Sequence, residues 1–98
     1  MLRKEDFVFC VGYQGDAALV DNRAKKKYGK LNTLELLEAG LLKAAFSSAV
    51  YDNNEDDMKQ VIASFNLLTG SQLSSPEEMK RLLGIFAVPG EINKVISL

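Results

Sequence analysis

A run of helix-forming, mostly apolar residues from position 33 to position 51 constrains the fold more than any other part of the sequence. Asn32 precedes the run and Glu35 follows three residues later, which is the capping-box pattern that begins an α-helix. Apolar side chains would cover most of the circumference of a helix over this run, so it needs neighbours on several sides. The pattern therefore predicts a central buried helix over about residues 33–51.

Small residues recur every four positions within that predicted helix, at Gly40, Ala44 and Ser48. Positions four apart lie on one face of a helix, where small side chains let another element approach closely. We interpret this ridge as a contact surface, either for another element of the same chain or for a second copy of it.

The N-terminal region has the pattern of a β-hairpin. Aromatic and β-branched residues dominate from Phe7 to Tyr13 and occupy both alternating sets of positions, which predicts a strand covered on both faces. Residues 14–16 have turn chemistry, and residues 17–20 are predicted to return as a second strand. Because an isolated hairpin is marginally stable in water, this one must pack on helices or pair with more strands.

Start and stop signals predict further helices along the chain. Asp21 is placed to cap a short helix that Gly29 ends, and Ser75 with the proline after it is typical of a helix start. These helices are predicted over about residues 22–28, 55–69, 76–88 and 91–97. The whole pattern predicts an α+β fold, mostly α, in which the N-terminal β-hairpin packs on a bundle of three to four helices.

The charges divide the chain at about residue 31. Residues 1–31 carry seven basic and four acidic side chains, a net charge of +3, whereas residues 32–98 carry five basic and nine acidic ones, a net charge of −4. The total of −1 gives no bulk electrostatic reason to bind nucleic acid or membrane. We predict a single domain over residues 1–98, with a basic hairpin and short helix in 1–31 and an acidic helical body in 32–98.

The sequence contains no histidine and a single cysteine, Cys10. These counts exclude Ser-His-Asp and Cys-His catalytic arrangements within one chain, and they exclude zinc sites built from imidazole and thiolate ligands. We therefore expect no catalytic residues, no cofactor and no metal site, and we interpret the chain as non-enzymatic.

The lone cysteine also excludes a disulfide within the chain, which favours a reducing compartment. The apolar stretches fall short of the roughly 20 residues that a membrane-spanning helix needs. We therefore predict a soluble, cytoplasmic protein without a membrane partner.

The segment from Arg23 to Lys30 gathers five cations and a tyrosine within eight residues. Such a segment can neutralise phosphates and stack on a base, or it can meet an acidic protein surface. A solvated helix end, where the helix dipole favours lysines, explains the same pattern without a partner. The candidate partner-binding patch consists of Arg23, Lys25, Lys26, Lys27, Tyr28 and Lys30.

Two functional hypotheses follow from these patterns. The first is a small non-enzymatic protein-interaction domain that associates with itself, forming a homodimer through the hairpin or the central helix. The alternative is a nucleic-acid-binding regulator that uses the segment from Arg23 to Lys30. The candidate self-association surface consists of Phe7, Phe9, Val11, Tyr13, Gly40, Ala44 and Ser48.

Overall fold

The computed structural model describes residues 2–98, in which six helices and three strands form an α+β fold that is about 53% helical. The helices are α1 (Lys4–Val8), α2 (Asn22–Tyr28), α3 (Thr33–Glu38), α4 (Leu42–Tyr51), α5 (Glu55–Thr69) and α6 (Pro76–Leu83), and the strands are β1 (Cys10–Gln14), β2 (Ala17–Val20) and β3 (Lys94–Ser97). The predicted fold class and the N-terminal hairpin are confirmed.

The three strands form one sheet in the order β1-β2-β3. β1 and β2 are the antiparallel hairpin, with Gln14 opposite Ala17, and β3 runs parallel to β2. Ala18 and Val20 of the middle strand are fully buried in the core that the sheet shares with the helices. β1 and β3 are therefore the two edge strands of a small sheet.

Helix α4 lies at the centre of the molecule. Its Ala45, Phe46 and Ala49 are fully buried, and it packs against α1, α3 and α5. The hydroxyl groups of Thr33 and Ser48 share a buried hydrogen bond of 2.7 Å between α3 and α4. α4 is thus the helix on which α1, α3 and α5 pack.

The single helix predicted over about residues 33–51 is wrong, because the segment forms two helices. Gly40 has a φ of 79°, which a residue with a side chain adopts at a cost. The Gly40 N–H donates to the carbonyl oxygen of Leu37 and the Leu41 N–H donates to that of Leu36, which is the Schellman pattern that ends a helix. The predicted capping box between Asn32 and Glu35 is present at the start of α3.

The strand predicted from Phe7 begins only at Cys10, because the preceding residues form α1. Glu5 and Asp6 stand in the first turn of α1, where the helix dipole favours acidic side chains. A short apolar run is compatible with a helix or a strand, and here packing of α1 on α4 decides for the helix.

The helix predicted over residues 91–97 is also wrong, because the segment forms strand β3. Helix α6 ends at Leu83, before Pro89, since Gly84 adopts a φ of 70°. The chain then reaches the free side of β2, where Val95 pairs with Ala18 and Ile96 with Leu19. β-Branched residues suit a strand, and this long-range pairing outweighs the weak helical spacing.

Candidate functional site

Strand β1 has one open edge. Among residues 2–98 it pairs only with β2, and Val11 and Tyr13 are 58% and 47% exposed. An edge strand presents unpaired backbone N–H and C=O groups, which are a template for pairing with another chain. The open edge is therefore the first element of a candidate protein-binding site.

A β-bulge at Val11 changes which side chains share a face of β1. Cys10 lies opposite Val20 and Tyr13 lies opposite Ala18, so Cys10 and Tyr13 point to the same side although they are three residues apart. The Cys10 thiol donates to the carbonyl oxygen of Gly12 at 3.0 Å. Partial burial, followed by the nearby Cys10 sulfur, raises the pKa of Tyr13 to about 12, so its phenol stays uncharged near neutral pH.

Two adjoining cavities flank β1, and we call them together the β1 groove. The first, of about 310 Å³, is lined by Phe7, by Cys10–Tyr13, by Lys43 and Ser47 of α4, and by Leu83–Ala87 and Pro89. The second, of about 320 Å³, is lined by Val8–Val11, by Asp21, Ala24 and Tyr28, and by Leu41–Ala44. Cys10, Val11 and Lys43 line both cavities, so the two cavities adjoin at the start of β1.

The wall of the first cavity includes the backbone of β1 itself. Gly12 has no side chain, so its presence in the lining means that the main chain faces the cavity. A Cβ atom added at Gly12 would have no neighbour within 4 Å, which shows that this stretch is open. Phe86, 58% exposed, also lines the first cavity.

The structure brings some of the predicted self-association residues to this groove and removes others from the surface. Val11 and Tyr13 are exposed on it, and the half-buried Ala44 lines its second cavity. Phe7 and Phe9 form its walls but are buried, because α1 packs them into the core. Two further positions lie elsewhere: Ser48 is buried against Thr33, and Gly40 stands in the turn between α3 and α4.

The predicted basic patch borders the β1 groove through one residue, Tyr28. Lys25 pairs with the buried Asp6, so this cation has a partner inside the chain. Tyr28 lines the second cavity, where its ring stacks on Phe9 at 6.5 Å between centroids, and the Lys27 ammonium lies 5.2 Å from the Tyr28 ring centroid. Among the predicted residues, the exposed cations are Arg23, Lys26, Lys27 and Lys30.

Sequence reasoning missed Lys43 and Phe86 as lining residues. Lys43 was a polar position on a predicted buried helix, and no local pattern indicates that it would face β1. Phe86 falls within the helix predicted over residues 76–88, whereas α6 ends three residues before it, at Leu83. Whether either side chain lines a cavity depends on how segments that are distant in the sequence pack against each other.

The second open edge of the sheet belongs to β3. All four residues of β3 are exposed, including Val95 and Ile96, and the exposed Leu98 follows them. The ammonium of Lys94, the charged residue of this strand, lies 2.9 Å from the Asp16 carboxylate in the hairpin turn. This edge is therefore apolar, with its charge already compensated.

Comparisons with protein-family models, with curated protein sequences and with solved structures found no match. No group of three or more His, Cys, Asp or Glu side chains converges as a metal site within residues 2–98. In the same part of the chain, the helices are too short or too polar to cross a bilayer. The β1 groove and the two sheet edges are therefore the features that bear on function.

Proposed function

We propose that this chain is a small non-enzymatic protein-interaction domain that also associates with itself. The observation that carries the proposal is that both outer strands of its sheet have open edges flanked by exposed apolar side chains. Proteins usually cover or charge such edges, because an open one pairs readily with another chain. We place the protein in the cytoplasm, in keeping with its single, unpaired cysteine.

The β3 edge suits self-association better than the β1 edge. Two copies of β3 can pair antiparallel about a two-fold axis, which would join two three-stranded sheets into one of six strands. This contact would bury Val95 and Ile96 without opposing like charges, because Lys94 is already paired with Asp16. At the β1 edge, by contrast, a symmetric contact would bring Lys43 of one copy towards Lys43 of the other.

Light scattering after size-exclusion chromatography tests the self-association. At high micromolar concentration we expect a mass about twice the 10.8 kDa of the chain. Replacing Ile96 with lysine should return the mass to that of a monomer, because a charge at this strand blocks edge pairing. The control is Leu34→Lys, which adds the same charge at a residue of similar exposure, 41% against 43%, and should remain dimeric. A monomeric parent protein, or a dimeric Ile96→Lys variant, would contradict this surface.

Nucleic-acid binding by α2 is the second candidate function. Arg23, Lys26, Lys27 and Lys30 are exposed, and among residues 2–98 none of them forms an ion pair. One observation disfavours nucleic-acid binding. The ring of Tyr28 is stacked on Phe9, which leaves less of the Tyr28 ring surface for a base to stack on.

A mobility-shift assay at low salt separates this candidate from the first. Nucleic-acid binding requires a complex that weakens as salt is added and that is lost when Lys26, Lys27 and Lys30 all become alanine. Lys25 is left unchanged, since its removal would disturb the buried Asp6. Because our proposal concerns a protein partner, we expect no shift, and a salt-sensitive shift lost in the triple variant would favour the second candidate.

A further inference from the structure

We propose that the β1 groove binds an extended, acidic segment of a partner protein, which adds a strand to the open edge of β1. The inference rests on the proposed interaction-domain function and names the class of partner. It concerns the opposite edge of the sheet from the one assigned to self-association, so both contacts can form on one molecule.

The backbone of β1 supplies the first part of the recognition. Gly12 lines the first cavity without a side chain, and an added Cβ atom would have no neighbour within 4 Å, so another strand can approach β1 here; the Gly12 carbonyl oxygen already accepts from the Cys10 thiol. An added strand can form hydrogen bonds with this edge while its alternate side chains enter the groove. This mode selects an extended segment over a helix.

The two cavities supply the second part. Val8, Phe9 and Leu41 give the second cavity an apolar wall, and Ile85 and Phe86 do the same for the first. Each cavity has a volume of about 310 to 320 Å³, which accommodates apolar side chains from the added strand. The partner segment therefore carries apolar residues that alternate with others.

Charge supplies the third part. Lys43 stands where the two cavities meet, and within the described chain it has no ion-pair partner. Lys27 adds a second ammonium beside the second cavity, 5.2 Å from the ring centroid of Tyr28, which lines that cavity. The one carboxylate in the lining, Asp21, already accepts a hydrogen bond from the Ala24 N–H as the N-cap of α2. The ammonium groups of Lys43 and Lys27 therefore outnumber the Asp21 carboxylate around the two cavities, which favours an acidic segment.

A short synthetic peptide tests the proposal directly. The probe is the fluorescein-labelled nonapeptide Asp-Ser-Val-Thr-Glu-Thr-Val-Ser-Asp, which puts two valines and three carboxylates on one face of a strand. Its control replaces the three acidic residues with lysine. We expect saturable fluorescence anisotropy for the acidic peptide and binding at least about tenfold weaker for the lysine control, because several opposite charges become like charges. Equal affinities, or no binding of the acidic peptide, would overturn the proposal.

Variants of the protein locate the contact. Lys43→Glu should weaken binding of the acidic peptide about tenfold. The matched control is Lys59→Glu on α5, the same charge reversal at an exposed lysine that lines neither cavity, and it should bind like the parent. If both reversals weaken binding equally, the effect is one of total charge and the groove assignment fails.

Peptides methylated on alternate backbone nitrogens test strand addition. Alternate N–H groups of a strand point to opposite edges, so methylation of one set should abolish binding and methylation of the other set should be tolerated. Binding that tolerates both sets would overturn strand addition.

Light scattering on the same samples separates this inference from the self-association proposal. A dimer that binds none of the peptides overturns the groove assignment alone. A monomer that binds the acidic peptide overturns self-association alone.

Discussion

Replacing Lys25 with methionine should lower the free energy of unfolding by about 2 to 3 kcal/mol. The Lys25 ammonium lies 2.5 Å from Oδ1 of Asp6, a residue that is only 6% exposed. Within residues 2–98 no hydrogen bond of suitable geometry reaches this oxygen, so the ion pair is the contact that compensates its burial. The Lys25 side chain itself is 30% exposed, which places the expected loss at or below the lower end of the range for buried pairs.

Urea denaturation measures this loss, with Lys26→Met as the control. Lys26 lies on the same helix, is exposed and has no ion-pair partner in the described chain, so its replacement should change stability by less than about 0.5 kcal/mol. Adding Asp6→Asn to Lys25→Met should recover part of the loss, because the buried charge is then removed. Equal effects of the two lysine substitutions would show that Asp6 does not depend on Lys25.

Replacing Phe46 with alanine should have the largest effect of all, a loss of about 3 to 5 kcal/mol. Phe46 is fully buried at the centre of α4, the helix that contacts α1, α3 and α5. The substitution removes buried apolar surface and leaves a cavity that the surrounding helices fill only in part. Because a small domain has about 5 to 15 kcal/mol of total stability, this variant should be close to unfolding.

Phe86→Ala is the matched control for that prediction. Phe86 is 58% exposed, so the same truncation should cost less than about 1 kcal/mol. Denaturation midpoints of the two variants, measured in urea at one temperature, give the comparison. A similar loss for both would contradict the assignment of α4 as the central helix of the core.

Local signals were enough to predict the elements that local chemistry determines. Asp21 caps α2 and Gly29 follows its last residue, as predicted. Ser75 and Pro76 begin α6, and Gly70 follows the last residue of α5 in the left-handed conformation. In each of these cases the determining side chain lies within a few residues of the helix end that it defines.

The incorrect predictions concern two kinds of position. At one kind, a contact with a distant part of the chain determines the structure; at the other, one residue fits two structural roles. Gly40 fitted a ridge of small residues and also the end of a helix, and the sequence pattern favoured the first reading. The choice of a strand for residues 94–97 depends on the free side of β2, more than seventy residues earlier. A local pattern carries no information on such pairings.

The sequence predicted individual residues of the candidate site, but not that they lie close together. The sequence singled out Val11 and Tyr13 on the hairpin, and separately Tyr28 among the lysines. Only the folded structure shows that these residues line two adjoining cavities, with Lys43 lining both.

Hydrogen–deuterium exchange, followed by mass spectrometry in dilute and in concentrated solution, tests most directly whether the open sheet edges are contact surfaces. Alternate N–H groups of β3 point away from β2, and no further strand pairs with them among residues 2–98, so pairing with a second copy should slow their exchange. We predict that exchange in the segment Lys94–Ser97 slows with concentration, whereas exchange in α2 does not. Exchange in β3 that is the same at both concentrations would contradict the account.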